Sequence, residues 1–259
     1  MNIIRQKILE SLGLELPAEL DETILDDPKM LLHCCFSVGG PGSGKSFVNK
    51  QLEKVITPFP KVIDSDKLFT KKLDVASLPQ KIPAETSDNP EQQKLRQQQL
   101  ALRDKAMLGI NNVLKTQMGG YFSVILDGTG KTAKKMEARK VAMERLGYDT
   151  FALIVSTSLP VAQERNAKRE RSLPATGEGS VEQIWHQVQE NIPYYQQLFG
   201  DNCLVVNNDP GKLDIAELQA KMKKFFHSPV ANPIGQELLA NKDKGSITRD
   251  VAPEVMDKF

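Results

Sequence analysis

The chain has 259 residues, of which 40% are hydrophobic and 26% charged, and its formal net charge is +1. This composition is typical of a globular domain with extensions. The net charge is too small to attract the whole protein electrostatically to nucleic acid or to a membrane. No apolar run reaches the roughly 20 residues of a membrane span, and the N-terminus lacks the pattern of a signal peptide. We therefore expect a cytoplasmic protein without a membrane partner. The sequence carries no signal for an oligomeric state.

The predicted elements alternate between strands and helices. Residues 1–29 are expected to form an N-terminal helical extension. The apolar run 30–38 predicts a buried strand that leads into a glycine-rich loop. Further strands are predicted at 60–63, 121–126, 151–156 and 203–206, and helices at 46–55, 92–118, 134–146, 161–171, 181–198 and 215–226. The alternation predicts an α/β fold with a parallel sheet that carries helices on both faces.

Three segments depart from this alternation. Residues 71–91 are polar and contain three prolines, so we expect no regular structure there, and we treat 71–118 as an insertion on the substrate side. Pro193 is expected to kink or interrupt its helix. The tail 228–259 has weak periodicity, which leaves a packed irregular extension and a mobile segment as alternatives.

The glycine-rich loop is the most specific motif in the chain. Residues 39–46 read GGPGSGKS and fit the phosphate-binding pattern G-x-x-x-x-G-K-[ST] in full. Glycines let the backbone wrap phosphates with its N–H groups, and the N-terminus of the next helix favours the same anion. Lys45 is expected to reach the β- and γ-phosphates, and the Ser46 hydroxyl to coordinate Mg²⁺. The predicted nucleotide-binding residues are Gly39, Gly40, Pro41, Gly42, Ser43, Gly44, Lys45, Ser46 and Phe47. The motif predicts a P-loop NTPase fold that binds ATP or GTP with Mg²⁺.

Two acids follow the second predicted strand. Asp64 and Asp66 lie where ligands bind in open α/β sheets, beyond the carboxyl ends of the strands. In extended backbone they point the same way, with Ser65 opposite. We predict that Asp66 is the base that accepts the proton of an attacking hydroxyl, with Asp64 in support. The alternative is a helix N-cap, a role that Asp66 also suits.

A third acid, Asp127, ends the strand YFSVIL. A hydrophobic strand that ends in Asp is typical of a Walker B element, in which the acid helps to organise Mg²⁺. Alternatively, Asp127 binds the acceptor substrate. Thr129 and Lys131 follow in the same loop and are predicted to contact substrate or phosphate.

Four cations lie within residues 165–171, which read RNAKRER. Arg165 and Arg169 are four residues apart, so on a helix they share a face. Together with Arg171, they are candidates for clamping the migrating phosphoryl group from a lid at 161–180. Gly177 and Gly179 would let that segment move. The alternative is a solvated helix face.

These motifs resemble those of zeta-toxin-like and polynucleotide-kinase-like P-loop kinases, and more narrowly those encoded by tailed bacteriophages. The resemblance rests on GGPGSGKS (39–46), VIDSD (62–66), VILDGTG (124–130), LGYDTFALIVSTSLPVAQERNAKRERS (146–172) and WHQVQENIPYYQQLFG (185–200). It covers roughly residues 30–210 and implies a kinase, in the host cytoplasm if a phage encodes it, and we predict that the kinase domain spans 30–227. The family's base maps onto Asp66 or Asp64, and its lid arginines onto Arg165 and Arg169 or Arg171.

The resemblance leaves the acceptor open. Zeta-type kinases, which act on a UDP-amino-sugar, carry Glu-Gly-Thr where this chain has Asp127-Gly128-Thr129, one methylene shorter. The leading hypothesis is phosphorylation of a nucleic acid, a nucleotide or a modified base such as hydroxymethyluracil in DNA. The alternatives are a UDP-N-acetylglucosamine kinase and, from another class, an NTP-binding switch without a small acceptor.

Two further groups of residues bear on a nucleic-acid acceptor. The basic cluster Lys131, Lys134, Lys135, Arg139 and Lys140 would suit a patch that tracks a phosphate backbone, or it is a solvated helix face. The aromatic residues Trp185, Tyr194 and Tyr195 would stack on a base, or they belong to the core.

Overall fold

A five-stranded parallel sheet forms the centre of the protein, in the order β2-β3-β1-β4-β5. The computed structural model describes residues 31–81, 88–170, 172–241 and 251–259. The strands are β1 His33–Val38, β2 Lys61–Ile63, β3 Val124–Gly128, β4 Asp149–Ser156 and β5 Cys203–Asn207. The central strands β1 and β4 read as nearly unbroken apolar runs because both of their faces are buried.

Helices follow most strands within the described part of the chain. They are α1 Lys45–Leu52, α2 Ser65–Val75, α3 Pro90–Gly119, α4 Ala133–Arg145, α5 Leu159–Ala167, α6 Val181–Phe199, α7 Ile215–His227, α8 Pro233–Asn241 and α9 Pro253–Met256. None of the described helices is long and apolar enough to cross a bilayer.

The two faces of the sheet carry separate hydrophobic layers, as the two-residue period of a strand requires. Alternate residues of β1, such as Cys34 and Phe36, join a layer with α3, α4 and α6, whereas Cys35 joins a layer with α1 and α7. The predicted α/β fold, with a parallel sheet covered on both faces, is confirmed.

The prediction of no regular structure is wrong for residues 71–75, and the predicted interruption of the helix at Pro193 is wrong too. Residues 71–75 are helical because α2 continues to Val75, where its buried Phe69 and Leu73 pack against Ala106 of α3. Pro193 lies inside α6 without ending it. Its ring is exposed, and the opposite face of the helix stays anchored by buried side chains such as Tyr195.

The described part of the tail packs on the sheet, but it carries helices α8 and α9, so it is not the irregular extension that was expected. The Asp149 carboxylate accepts hydrogen bonds from the N–H groups of Ala231 (2.7 Å) and Asn232 (2.8 Å). Val230 and Val251 are buried in the same layer as α3, α4 and α6. The predicted extension at 1–29 lies outside the described residues.

Candidate active site

The carboxyl ends of all five parallel strands meet at one edge of the sheet. From one side to the other, this edge presents Asp64 after β2, Asp127 in β3, the glycine loop after β1, Thr157 after β4 and Asn208 after β5. The sequence-predicted acids therefore lie on one side of the loop, and the ends of β4 and β5 lie on the other.

The glycine loop is packed tightly from outside. Gly42 and Gly44 have φ of +79° and +89°, a region that glycine adopts at no steric cost. A Cβ at Gly42 would collide with the carbonyl of Ala162 in α5, and one at Gly44 with the side-chain amide of Asn208. The loop leads directly into α1, so its N–H groups and the helix N-terminus form a cradle for an anion.

Lys45 lies between the loop and Asp127. Its Nζ donates a hydrogen bond to the Gly39 carbonyl at 2.5 Å and lies 4.0 Å from Oδ2 of Asp127. Burial, together with the charges of Asp64 and Asp66, raises the pKa of Asp127 to about 6, against the opposing effect of Lys45. The half-buried carboxylate of Asp127, with Lys45, Asp64 and Asp66 as charged neighbours, can therefore bind a cation.

The two acids after β2 are arranged differently from the sequence prediction. Helix α2 begins at Ser65, so the extended alternation of Asp64 and Asp66 is wrong. Asp64 is the N-cap and accepts a hydrogen bond from the Lys67 N–H at 3.0 Å, whereas Asp66 is exposed in the first helical turn. The register of β2 and β3 pairs Ile63 with Leu126, so Asp64 and Asp127, the next residue of each chain segment, lie side by side. The charges of Asp64 and Asp66 also contribute to the raised pKa of Asp127.

The loop after β3 is held by α6. The Gly130 carbonyl accepts hydrogen bonds from the Tyr195 hydroxyl (2.5 Å) and from Nδ2 of Asn191 (3.2 Å). Tyr195 is fully buried, which places it in the core. Thr129 is half-buried next to this anchored residue, and Lys131 is exposed.

The other aromatic candidates are also accounted for. The indole of Trp185 donates to the Thr157 carbonyl at 2.7 Å, so it supports the turn after β4. Tyr194 is exposed on α6, and its ring lies 6.2 Å from that of Tyr195.

The predicted arginine face is wrong. Helix α5 ends at Ala167, so Arg169 lies beyond the helix that carries Arg165. The chain folds back here because the side-chain amide of Asn166 bonds both main-chain groups of Leu173, at 2.8 and 3.1 Å. Arg169 is exposed, and Arg171 lies outside the described residues.

Arg165 instead faces the loop after β5. Its Nη2 donates to the Asn208 carbonyl at 2.9 Å. Its Nη1 is buried with no hydrogen-bond partner among the described residues, beside Gly44 of the cradle. A buried, unsatisfied guanidinium nitrogen is costly unless a ligand supplies an acceptor.

A cavity of about 500 Å³ opens next to Arg165 and the cradle, and sequence reasoning missed it. Phe47, Asn208, Pro210, Leu213 and Ile215 contribute to its wall. The available signal was the polar run NNDPG, which follows the last predicted strand at the same edge of the sheet.

Asp209 joins this wall to α5. Its Oδ1 accepts hydrogen bonds from the Thr157 hydroxyl and from the N–H (2.8 Å) and hydroxyl (3.1 Å) of Ser158, the N-cap of α5. The bond from Thr157, followed by those from Ser158, lowers the pKa of Asp209. The carboxylate therefore fixes the helix that carries Arg165.

The basic cluster of α4 is only partly available to a ligand. Arg139 donates to the carbonyls of Lys258 (3.0 Å) and Phe259 (2.5 Å), and Lys140 pairs with Glu144. The remaining members, Lys131, Lys134 and Lys135, are exposed near the loop that follows β3.

The parallel sheet and the GGPGSGK loop between β1 and α1 define a P-loop NTPase fold. Residues 35–190, more than half of the chain, match the model of the AAA_33 family, described as an AAA domain. The chain belongs to this family. Among curated proteins, no sequence matches significantly.

Several solved structures are similar in fold. A presumed kinase from Chloroflexus aurantiacus J-10-fl is 14% identical, with a TM-score of 0.51 over 74% of this chain and 97% of that one. Shikimate kinase from Acinetobacter baumannii is 13% identical (TM-score 0.40, 75% and 93% covered). The PezAT toxin–antitoxin structure from Streptococcus pneumoniae is 13% identical (TM-score 0.49, 92% and 90% covered). The first likeness supports the fold, and at these identities none of them identifies an activity.

The site fits a nucleoside triphosphate with Mg²⁺. The cradle excludes any Cβ at Gly42 and Gly44, and the free Nη1 of Arg165 offers a donor beside it. Ser46 and Asp127 supply hydroxyl and carboxylate oxygens, which are the ligands that Mg²⁺ prefers.

Proposed function

We propose that the protein is a kinase that transfers the γ-phosphoryl group of ATP, or of GTP, to a hydroxyl. The observation that carries this proposal is the cluster of Asp64, Asp66 and Asp127 on the side of Lys45 away from the cavity. An acceptor hydroxyl needs a carboxylate beyond the γ-phosphate, and the position of Asp127 next to Lys45 of the cradle supports that role for the cluster.

The nucleotide lies across the edge of the sheet in this proposal. Its base occupies the cavity beside Phe47 and Arg165, since about 500 Å³ is a typical volume for a small-ligand site. Its phosphates lie in the cradle, with Lys45 on the β- and γ-phosphates. Ser46 and Asp127 hold Mg²⁺, which neutralises phosphate charge when it is bound.

The residues of the chain then divide the work of transfer. The acceptor oxygen bonds to the γ-phosphorus as the bond to the β–γ bridging oxygen breaks and ADP leaves. Asp66 takes the proton of the acceptor hydroxyl, and Asp64 holds the first turn of α2 as its cap. Lys45 stabilises charge on the transferred group, and Arg165, beside the cradle, and the exposed Arg169 act on the phosphates from the lid at 161–180.

For the acceptor we propose a nucleic acid, a nucleotide or a modified base such as hydroxymethyluracil in DNA. The exposed Lys131, Lys134 and Lys135 beside the loop after β3 support an acceptor that carries phosphate. Residues 71–118 form the acceptor side of the domain in this proposal. A UDP-N-acetylglucosamine acceptor, as in zeta-toxin-like kinases, remains the alternative, and Asp127-Gly128-Thr129 is the motif that relates the chain to that group.

The test is transfer of label from γ-labelled ATP with Mg²⁺. The panel contains 5′-hydroxyl DNA and RNA, hydroxymethyluracil-containing DNA, nucleosides and UDP-N-acetylglucosamine. Label on one acceptor is the expected result and names its class. Labelled free phosphate alone, at a rate that no acceptor changes, would contradict the kinase and favour an NTP-binding switch.

A further inference from the structure

Asn208 connects the cradle to both neighbouring elements of the site. Its side chain is buried, with 6% of its surface exposed, and its Nδ2 donates to the Ser43 carbonyl in the glycine loop at 2.7 Å. Its main-chain N–H donates to the Ser156 carbonyl of β4 (2.8 Å), and its carbonyl accepts from Arg165 of α5. The residue is therefore held by β4 and α5 and reaches out to the loop.

The bond to Ser43 determines where the next N–H points. In a trans peptide the C=O of one residue and the N–H of the following residue are antiparallel. Because the Ser43 carbonyl faces Asn208, the Gly44 N–H points away from it, towards the inner side of the cradle. This N–H donates to none of the described residues.

The glycine loop needs such an external support. Gly42 and Gly44 flank Ser43, and glycine rotates freely between conformations, so the Ser43–Gly44 peptide can flip at little steric cost. A flipped peptide would present a carbonyl oxygen to the phosphates, which would repel them. The Asn208 amide is the side-chain donor that binds this carbonyl in the structure.

We infer that Asn208 is a positioning residue, whose amide orients the Ser43–Gly44 peptide so that the Gly44 N–H donates to a nucleotide phosphate. The inference rests on the proposed nucleotide binding. It assigns a function to a residue that lies 164 positions from Gly44 in the chain and belongs to no phosphate-binding motif.

The expected effect is on phosphate recognition alone. A hydrogen bond to a charged group contributes enough that its loss weakens binding by about 10- to 100-fold. Asn208→Asp keeps the shape of the side chain and removes the donor, and Asn208→Ala removes the side chain without adding charge. Affinity for ADP and ATP should fall by this factor in both variants. Adenosine should bind as it does to the wild type, because Phe47, Leu213 and Ile215 of the cavity wall remain.

One resonance reports the peptide directly. Ser43–Gly44 is the sole Ser–Gly pair in the sequence. The protein is therefore made by cell-free synthesis with serine labelled by ¹³C at the carbonyl and with ¹⁵N-labelled glycine. An NMR experiment that selects amides bonded to a ¹³C carbonyl then shows one signal, that of Gly44. In the wild type, ADP with Mg²⁺ should move its proton downfield, as a bond to phosphate requires. Asn202→Asp and Asn202→Ala, at the opposite end of β5, are matched controls.

The outcomes separate this inference from the proposed function. The shift should be lost in both Asn208 variants and kept in both controls, with melting temperatures that show folded protein. A shift and an ADP affinity that both variants retain would overturn the role of Asn208 alone. Equal loss of adenosine and ADP binding would show a structural role instead and overturn the inference. A wild-type Gly44 signal that stays unmoved while ADP binds would overturn the inference, whereas a wild type that binds neither ADP nor ATP would overturn the proposed nucleotide binding itself.

Discussion

The two sides of the candidate site are built differently. On the nucleotide side, Arg165, Asn208 and Asp209 are joined to the cradle and to the turn after β4 by hydrogen bonds between elements distant in the chain. On the acceptor side, Asp66 is exposed at the start of α2, and the loop after β3 is fastened at Gly130 by residues of α6.

This difference matches the demands of the two ligands. A preorganised site binds a nucleotide with little loss of the protein's own conformational entropy. An acceptor has to enter, react and leave, and an open side with exposed charges allows that. We therefore expect substitutions on the nucleotide side to weaken binding, and substitutions on the acceptor side to slow transfer.

The largest effect is expected for Lys45→Ala. The Lys45 ammonium lies between the cradle and Asp127. In the proposed reaction it stabilises the negative charge that develops on the transferred phosphoryl group. Its removal should lower kcat/KM for transfer by about 100- to 1,000-fold. Steady-state kinetics of label transfer measure this loss. Lys50→Ala, an exposed lysine of the same helix, is the control and should stay within about twofold of the wild type. Equal behaviour of the two variants would contradict the proposed role of Lys45.

A smaller effect is expected for Arg165→Ala, and it separates two roles. If Arg165 packs on the base, affinity for adenosine and for ATP should fall by a similar factor of about 10, the size of a partly desolvated cation–π contact. If it clamps phosphate, only ATP binding should weaken. Calorimetry with both ligands decides, and we expect the second result, because the unpartnered Nη1 of Arg165 lies beside Gly44 of the cradle. Arg145→Ala, at the other end of the sheet, is the control.

The smallest effect is a pH dependence of metal binding. Burial and neighbouring acids raise the pKa of Asp127 to about 6, so below that pH a proton competes with Mg²⁺. The affinity for Mg²⁺–nucleotide should fall by up to about tenfold per pH unit below 6 and be flat above it. Titrations between pH 5 and 8 measure this slope. Asp127→Asn should lose the slope, and a slope that persists there would assign the proton to another group.

The same carboxylate should limit the stability of the fold. A raised pKa means that the folded protein holds the proton more tightly than the unfolded chain, so stability falls as pH rises from about 4 to 6. Asp127→Asn removes this penalty and should raise stability at pH 7 by about 1–3 kcal/mol. Denaturant unfolding at pH 4 and pH 7 measures it. An unchanged or lowered stability at pH 7 would contradict the assigned burial cost.

Patterns within short stretches of sequence are enough to predict the strands and the glycine loop. Buried strand runs and the GGPGSGKS loop are contiguous in sequence, so the sheet and the cradle follow from them. The end of α5 at Ala167 depends on the Asn166–Leu173 bonds, and the cavity depends on Asn208 meeting residues far away in the chain. Such tertiary contacts have no periodicity to detect, which explains why the arginine face was wrong and the cavity was missed.

The most direct test of the account compares Asp66→Asn with Asp104→Asn, an exposed acid on α3. We expect Asp66→Asn to slow phosphoryl transfer by at least about 100-fold, the usual contribution of a general base. Its ATP dissociation constant should stay within about twofold of the wild type, and Asp104→Asn should change neither quantity. Transfer that survives in Asp66→Asn, or ATP binding that is lost together with transfer, would contradict the division of the site into a binding side and a reacting side.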